Sequence, residues 1–116
     1  QPSPSHIRVN HTFHADSTQA TGNLIGEISA TDGFIISINE NEVWRQNLPS
    51  GTLNEQTRAL APTPSPTPMV QNSFSASHVI EGENSVTIDL FTAEGRTTPP
   101  SVEFELFQYQ VLTLEP

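Results

Sequence analysis

The stretch IEGENSVTIDLFTAEGRTTPPSVEFEL, residues 80–106, decides the fold class of this chain. It contains two glycine turns, at residues 81–84 and 93–96, and each precedes a run in which apolar and polar residues alternate. The apolar members of these two runs are Val86, Ile88, Leu90, Val102, Phe104 and Leu106. A period of two residues is typical of strands that bury one face. The stretch therefore predicts a half-buried β-meander in an all-β chain.

The first half of the chain has the same alternation. Residues 7–13 predict a first strand, and residues 23–38 predict a β-hairpin around the Asp32-Gly33 turn. Gly26 in this hairpin leaves room for a close neighbour or a bulge. Residues 39–41 form the next predicted turn, and a short strand follows at residues 42–45. Together with the later strands, this predicts an antiparallel β-sandwich of about seven strands.

Two irregular features are also predicted. Thr52 and Glu55 have the spacing of a capping box, which predicts a single helical turn across residues 53–60. The apolar positions of the last strand change face after Leu106, from even-numbered to odd-numbered residues. Because a period of two cannot change face without an inserted residue, we expect a β-bulge near Leu106 and Phe107, or a strand that moves to the other sheet.

Residues 61–68 alternate proline with threonine and serine, as expected for an extended segment. Prolines at every second position remove backbone donors from one edge, which leaves Thr63, Ser65 and Thr67 free to bond on the other. We interpret the segment as a blocked edge strand inside one domain, residues 6–114, that follows a tail at residues 1–5. Neither flanking portion carries enough strands to form a stable sandwich alone. The alternative is a linker between two modules.

Composition restricts the classes of partner. The net charge is -9, Lys is absent, and the four Arg are spread over the whole chain. Such a surface disfavours nucleic acid and anionic membranes, which bind clustered basic residues. No apolar stretch approaches the roughly 20 residues that a membrane span requires. Without Cys, the chain has no disulfide, thiolate metal site or Cys nucleophile.

The low fraction of charged residues bears on the cellular location of the protein. It is 15%, whereas about 25% is typical of soluble domains. Together with Ser/Thr/Asn-rich strands and Pro-rich flanks, this favours an exported protein, located outside the cell, at the cell surface or in the periplasm.

Four segments in series carry a family resemblance: residues 24–28, 34–39, 80–88, and Gly95 with the strand that follows it. Over about residues 22–107 the chain resembles the bacterial Ig-like domains that occur as repeats in surface proteins, adhesins and multimodular glycosidases. The chain departs from the usual pattern in having Asn39-Glu40 instead of Asn-Gly, no Asp in the turn before Gly95, and a long Pro-rich insertion. The resemblance implies an immunoglobulin-like antiparallel β-sandwich in a modular protein, without catalytic residues.

Metal sites have two candidate sets. His11 and His14 lie beside Asp16, but three-residue spacing on a strand puts the two imidazoles on opposite faces, so we predict no zinc site. Carboxylates in or beside the predicted turns offer oxygen ligands for calcium. They are Asp32, Glu40, Glu42, Glu81, Glu83 and Glu94. We interpret them as a solvated acidic rim, with a calcium site as the alternative.

Aromatic side chains are the candidates for ligand contact. If they are exposed, Trp44 and Tyr109 can stack on sugar rings or anchor a protein partner. We expect Trp44 to be buried, as is common on the inner face of a sandwich. No Ser-His-Asp set can be assembled, because Asp16, Asp32 and Asp89 are interpreted as turn or exposed strand residues.

The sequence thus favours a non-catalytic, extracellular spacer or adhesion module with no cofactor. Its expected partners are other domains of the same polypeptide, or a surface protein or glycan. The alternatives are a carbohydrate-binding module that uses Trp44 or Tyr109, and a module that docks a protein partner by strand addition.

Overall fold

The computed structural model describes residues 6–16, 23–54, 56–64, 67–97 and 100–109, and at 107–109 the description is limited to the backbone. The described residues form strands and no helix. The strands are β1 (His6–Ala15), β2 (Asn23–Ala30), β3 (Gly33–Ile38), β4 (Asn41–Gln46), β5 (Val70–Ser75), β6 (Gly82–Phe91) and β7 (Val102–Tyr109). The predicted all-β class with about seven strands is confirmed.

The strands form two antiparallel sheets that pack face to face. One sheet has the order β1-β6-β3-β4, and the other has the order β5-β2-β7. In a constant-type immunoglobulin domain, the first, second, fourth and fifth strands share one sheet. Here the first, third, fourth and sixth strands do so, and the immunoglobulin-like strand order is not confirmed. Both sheets combine strands from before and after the Pro-rich segment, because β1 and β3 pair with β6 and β2 pairs with β5 and β7.

The register defines two ends of the sandwich. At the Asp32 end, Ala30 is opposite Val102, and the β2–β3 connection passes through Asp32. At the Asn39 end, the β3–β4 turn lies beside Ser85, whose carbonyl accepts a hydrogen bond from the Asn39 N–H at 2.9 Å. β1 begins at the Asp32 end, where His6 is opposite Phe91, and β7 runs in the same direction towards the Asn39 end.

The core lies between the two sheets and follows the alternation predicted from the sequence. Its central cluster comprises Ile28, Ala30, Phe34, Ile36, Trp44, Val86, Ile88 and Leu90. The Trp44 ring meets the Phe34 ring edge to face, with 5.0 Å between centroids. At Gly26, a Cβ atom would lie 3.2 Å from the Phe104 ring and 3.3 Å from the Phe74 ring. The predicted close approach at this glycine is confirmed.

A smaller cluster covers the outer face of the four-stranded sheet at the Asp32 end. Ile35 and Phe91 face outward there and pack with Leu48, Ala59 and Ala93. The chain between β4 and β5 therefore folds back over this sheet. Asn47 holds it by donating to the Ala61 carbonyl at 2.6 Å.

Two predicted strand pairings are wrong. Residues 23–38 do not form a hairpin, because β2 and β3 lie in different sheets; nor do β6 and β7 form a meander, for the same reason. The Asp32-Gly33 turn exists, with Asp32 at φ 64°, but it carries the chain from one sheet to the other. Partners distant in sequence fix this crossing, since the Thr31 N–H donates to the Ser101 carbonyl at 3.0 Å. Alternation identifies a strand but does not identify its neighbour.

The β3–β4 hairpin is the tight turn that the sequence predicted at residues 39–41. Asn39 and Glu40 have φ of 49° and 71°, the positive values that a type I′ turn requires at both central positions. The register of this hairpin shifts between Ile36 and Ser37, as in a β-bulge. The bulge predicted near Leu106 and Phe107 is wrong, because β7 pairs with β2 in continuous register from Val102 to Tyr109.

The predicted helical turn at residues 53–60 is also wrong, within the residues described there. Asn54 nucleates a local turn, in which its Oδ1 accepts from the Gln56 N–H at 2.8 Å and its carbonyl accepts from the Thr57 N–H at 3.0 Å. Because an Asn side chain can bond the backbone two residues on, it favours a turn over a helix. Glu55, the second member of the predicted capping box, lies outside the described residues.

The Pro-rich segment forms no strand at residues 61–64 and 67–68, so the predicted edge strand is wrong over its described part. It is nevertheless fixed by bonds to the sandwich. The Thr63 N–H donates to Asp32 Oδ1 at 2.8 Å, and the Thr67 carbonyl accepts from the Ser29 hydroxyl at 3.2 Å. The Thr63 N–H is bonded, but by the Asp32 side chain and not by a neighbouring strand, and Ser65 lies outside the described residues.

Candidate functional site

A groove opens between β1 and β7, along one side of the sandwich. Its volume is about 340 Å³. It exists because a four-stranded sheet faces a three-stranded one, so β1 extends beyond the last described strand of the opposite sheet. In consequence, the β1 side chains that point towards the other sheet are less buried than the alternation predicts. Val9 is 38% exposed, and His11 is exposed as well.

The lining of the groove is apolar except for His11. The β1 wall is formed by Val9, His11 and Phe13, and the opposite wall by Val102, Phe104 and Leu106 of β7. Val86 and Ile88 of β6 form the floor. The β7 residues of this lining are half-buried. The groove is thus a part of the core that remains open to solvent.

The outer face of the sheet next to the groove is acidic. Glu103 and Glu105 are exposed on β7, and Glu105 lies directly opposite Glu27 of β2. Gln71 donates to the Glu27 carboxylate at 2.6 Å. Like charges directly opposite each other in a sheet repel. A cation placed beside β7 would relieve this repulsion.

Asp32 is the centre of a buried polar network at the Asp32 end. Its side chain is fully buried, and its carboxylate accepts from the N–H groups of Thr63 and Ala93 and from the guanidinium of Arg96. Burial raises the pKa of Asp32, but the hydrogen bonds from Arg96, Ala93 and Thr63 and the Arg96 charge outweigh it and lower the pKa to about 2. Since this carboxylate is saturated with donors, it is a structural group. Its interpretation as a rim residue is wrong.

A second carboxylate departs from its sequence interpretation. Asp89 is 7% exposed on β6 and lies opposite Arg8, whose Nε is 2.8 Å from Asp89 Oδ1. His6 Nε2 is 2.7 Å from the same oxygen, and its ring stacks on Phe91 with 4.6 Å between centroids. The hydrogen bond to Asp89 and its charge raise the pKa of Arg8. The cluster anchors the start of β1.

A shallow cavity of about 310 Å³ lies above this cluster, with Arg8 and Arg45 in its lining. Two guanidinium groups suggest an anion site, but both have partners in the structure. Arg8 binds Asp89, while Arg45 binds Glu42 and donates to the Pro49 and Gly51 carbonyls. The two arginines of this cavity therefore stabilise the fold through intramolecular bonds and do not form an anion site.

The Asn39 end has a network of two asparagines. Asn84 is 1% exposed; its Oδ1 accepts from the Ile80 N–H at 2.7 Å, and its Nδ2 donates to the Ile80 carbonyl at 2.8 Å. Asn39 Nδ2 donates to the same Asn84 oxygen at 2.9 Å and to the His78 carbonyl at 2.7 Å. These bonds join the β3–β4 turn to the loop before β6.

The candidate ligand residues have different outcomes. The predicted burial of Trp44 is confirmed: the residue is 8% exposed and belongs to the core, so the exposed ring that sugar stacking requires is absent in this conformation. Tyr109 ends β7, but its side chain lies outside the described residues. Ligand binding by either residue stays a prediction.

The candidate metal residues are not brought together. His11 lines the groove, and His14 lies three residues further along β1, on the other face by strand alternation. Asp16 is exposed just beyond the end of β1. Across the described part of the chain, no three His, Asp or Glu side chains form a group that could hold a metal ion.

The alternation of β1, β6 and β7 predicts that the groove residues face inward, but in a closed core. The predicted number of strands already indicated an open side, because seven strands cannot form two sheets of equal size. His11 was a second signal, since it interrupts the apolar row of β1 and such a residue is rarely buried without a partner. Glu103 and Glu105 alternate with the apolar residues of the last strand, which predicts an outward face for them but no role.

The chain matches no protein-family model, no curated protein and no solved structure. The resemblance to bacterial Ig-like domains therefore stays a prediction. No helix of the described residues is long and apolar enough to cross a membrane.

Proposed function

We propose that the chain is a non-catalytic β-sandwich module of a larger secreted or surface protein, where it acts as a spacer or adhesion domain. One observation carries this proposal: the first and last strands leave the sandwich at opposite ends. β1 begins at the Asp32 end, opposite Phe91, and β7 finishes at the Asn39 end, opposite Asn23. Ten residues of β1 separate these ends by roughly 30 Å. Neighbouring domains joined there would be held apart along the strand direction.

The strand geometry also suits a module under tension. A pull at the start of β1 and at the end of β7 acts along the strands, so β1 must slide past β6 to separate. Their ladder pairs ten residues, from His6 opposite Phe91 to Ala15 opposite Gly82. All its hydrogen bonds are loaded together in this direction. The proposed role in holding domains away from a surface depends on this resistance.

Force spectroscopy tests the spacer role. With handles at the two chain termini, we expect one cooperative unfolding step and an extension of about 340 Å for residues 6–109, from the reach of an extended chain. The chain has no Cys, so Glu94→Cys provides a unique second handle at the Asp32 end. Pulling between the N-terminus and this handle opens the β1–β6 ladder one residue pair at a time. The unfolding force should then be less than half of that measured between the two termini. Equal forces in both geometries would contradict the proposal.

Docking of a protein partner by strand addition is the second candidate, and the groove favours it. In the described sheet, β7 pairs with β2 and with no other strand, so its second edge has backbone groups available for an incoming chain. The carbohydrate alternative has less support, because Trp44 is buried.

A further inference from the structure

We propose that the groove between β1 and β7 binds one extended segment of a protein partner as a strand added to β7, and that this segment alternates apolar with basic residues. The inference deepens the strand-addition candidate. It does not depend on the spacer role, which concerns the ends of β1 and β7 and not the groove.

The size of the opening matches a single strand. One sheet has four strands and the other has three, so the described sandwich is incomplete by one strand on the β7 side. Strands in a sheet lie about 4.8 Å apart and sheets about 10 Å apart. A segment paired with β7 would therefore lie beneath β1. β7 spans eight residues, which sets the length of the segment.

The inward positions of the segment must be apolar. An added strand places every second side chain between the walls formed by β1 and β7, above Val86 and Ile88. Val9 and Phe104 line this space and are incompletely buried. Polar side chains there would lose water without gaining a partner, apart from a contact with His11.

The outward positions of the segment must be basic. They lie directly beside Glu103 and Glu105, where neighbouring side chains on one sheet face are about 5 Å apart. Glu27, opposite Glu105, extends the acidic row by one strand. The net charge of -9 adds a long-range attraction for a cationic segment. The groove thus favours a segment in which apolar residues, facing inward, alternate with basic residues, facing outward.

Charge argues against a second copy of the chain as the occupant. Two β7 strands paired edge to edge would bring two rows of Glu103 and Glu105 side by side. Both copies carry a net charge of -9, which adds to the repulsion. A small apolar molecule would fill the space but would leave the backbone edge of β7 and the carboxylates without partners.

Calorimetric titration with designed peptides tests the proposal. The probe is an acetylated and amidated eight-residue peptide of alternating Val and Lys. One control peptide has the same residues arranged as four Val followed by four Lys, and another replaces Lys by Glu. We expect saturable one-to-one binding of the alternating Val/Lys peptide, with affinity at least tenfold higher than for either control.

Variants of the chain locate the binding. The double variant E103K/E105K should lose at least tenfold in affinity for the Val/Lys peptide and gain affinity for the Val/Glu peptide. E40K/E94K makes the same change in net charge at exposed turn residues and should lose less than threefold. Val9→Lys, a change at an exposed position of the β1 wall, should weaken binding of the Val/Lys peptide. Thermal melts establish that each variant is folded.

Several results would overturn the proposal. They are an absence of saturable binding, equal affinity for the permuted peptide, and equal losses in E103K/E105K and E40K/E94K. Self-association of the chain that excludes the peptide, measured by sedimentation, would assign the groove to a second copy and would also refute it.

Discussion

Both carboxylate oxygens of Asp32 are bound by the guanidinium of Arg96, with Nε 2.5 Å from Oδ2 and Nη2 2.8 Å from Oδ1. The pair joins the β2–β3 crossing to the turn after β6. Because the Asp32 side chain is fully buried and also binds the Thr63 N–H, it connects three loops at one end of the sandwich.

Asp32→Ala should destabilise the fold by about 3–5 kcal/mol, the usual cost of removing one partner from a buried ion pair. The variant removes the Asp32 acceptor from the Arg96 guanidinium and from the Ala93 and Thr63 N–H groups. Urea unfolding followed by tryptophan fluorescence measures the change. Glu94→Ala, at an exposed position nearby, should stay within about 0.5 kcal/mol of the parent. A loss below about 1 kcal/mol in Asp32→Ala would show that this network contributes little.

Stability should fall in acid through Asp32. Its folded pKa of about 2 lies below the ordinary value of 3.8, so its contribution is complete above the unfolded pKa and is lost as the pH falls through the folded one. The difference corresponds to roughly 2.5 kcal/mol. We expect the stability gap between the parent and Asp32→Asn to shrink by this amount between about pH 5 and pH 1, with most of the loss complete at about pH 2. A gap that does not change with pH would contradict the lowered pKa.

Asn84→Ala should cost about 2–4 kcal/mol, because it removes both an acceptor and a donor from a buried site. The Ile80 N–H and carbonyl lose their Asn84 partner, and the Asn39 amide keeps only the His78 carbonyl of its two acceptors. Asn72→Ala, at an exposed position of β5, is the matched control and should be nearly neutral. Chemical denaturation of the two variants side by side measures the difference. Equal stability of both would mean that solvent replaces the Asn84 bonds without cost.

Glu40→Gly should stabilise the chain by about 0.5–1 kcal/mol. Glu40 has φ 71°, a conformation that glycine adopts without the steric cost that a side chain imposes. The thermal midpoint should rise by a few degrees. Ser50→Gly, in an exposed bend where no positive φ is required, should lower it slightly. A lower midpoint in Glu40→Gly would indicate that the Glu40 side chain makes a stabilising contact.

Strands β1, β2, β6 and β7 could be predicted because apolar and polar residues alternate along each of them. Val86, Ile88 and Leu90 are buried as their alternation requires, and Trp44 is buried as expected. The Asn39 turn was also predictable, because a two-residue connection with Asn at its start has few other conformations. These features depend on residues close together in sequence.

Strand pairing and the open groove could not be predicted in the same way. The Asp32-Gly33 pair indicates a turn whether the chain stays in one sheet or crosses to the other, and the partners that decide it, Ala93 and Arg96, lie more than 60 residues away. Likewise, Val102 and Phe104 have the same pattern beside a groove as in a closed core. Asp89 appeared exposed because its burial depends on Arg8, on a strand 81 residues earlier.

Amide hydrogen exchange of the free chain, resolved by residue with NMR, tests the open position beside β7 most directly. From Val86 to Phe91, β6 pairs on both sides, with β1 and β3, so its amides there should all be protected. Along β7, protection should alternate with a period of two, because one edge bonds β2 and the other pairs with no strand of the described residues. Uniform protection of β7 in the absence of any partner would mean that the position is already filled, and would contradict the groove as a docking site.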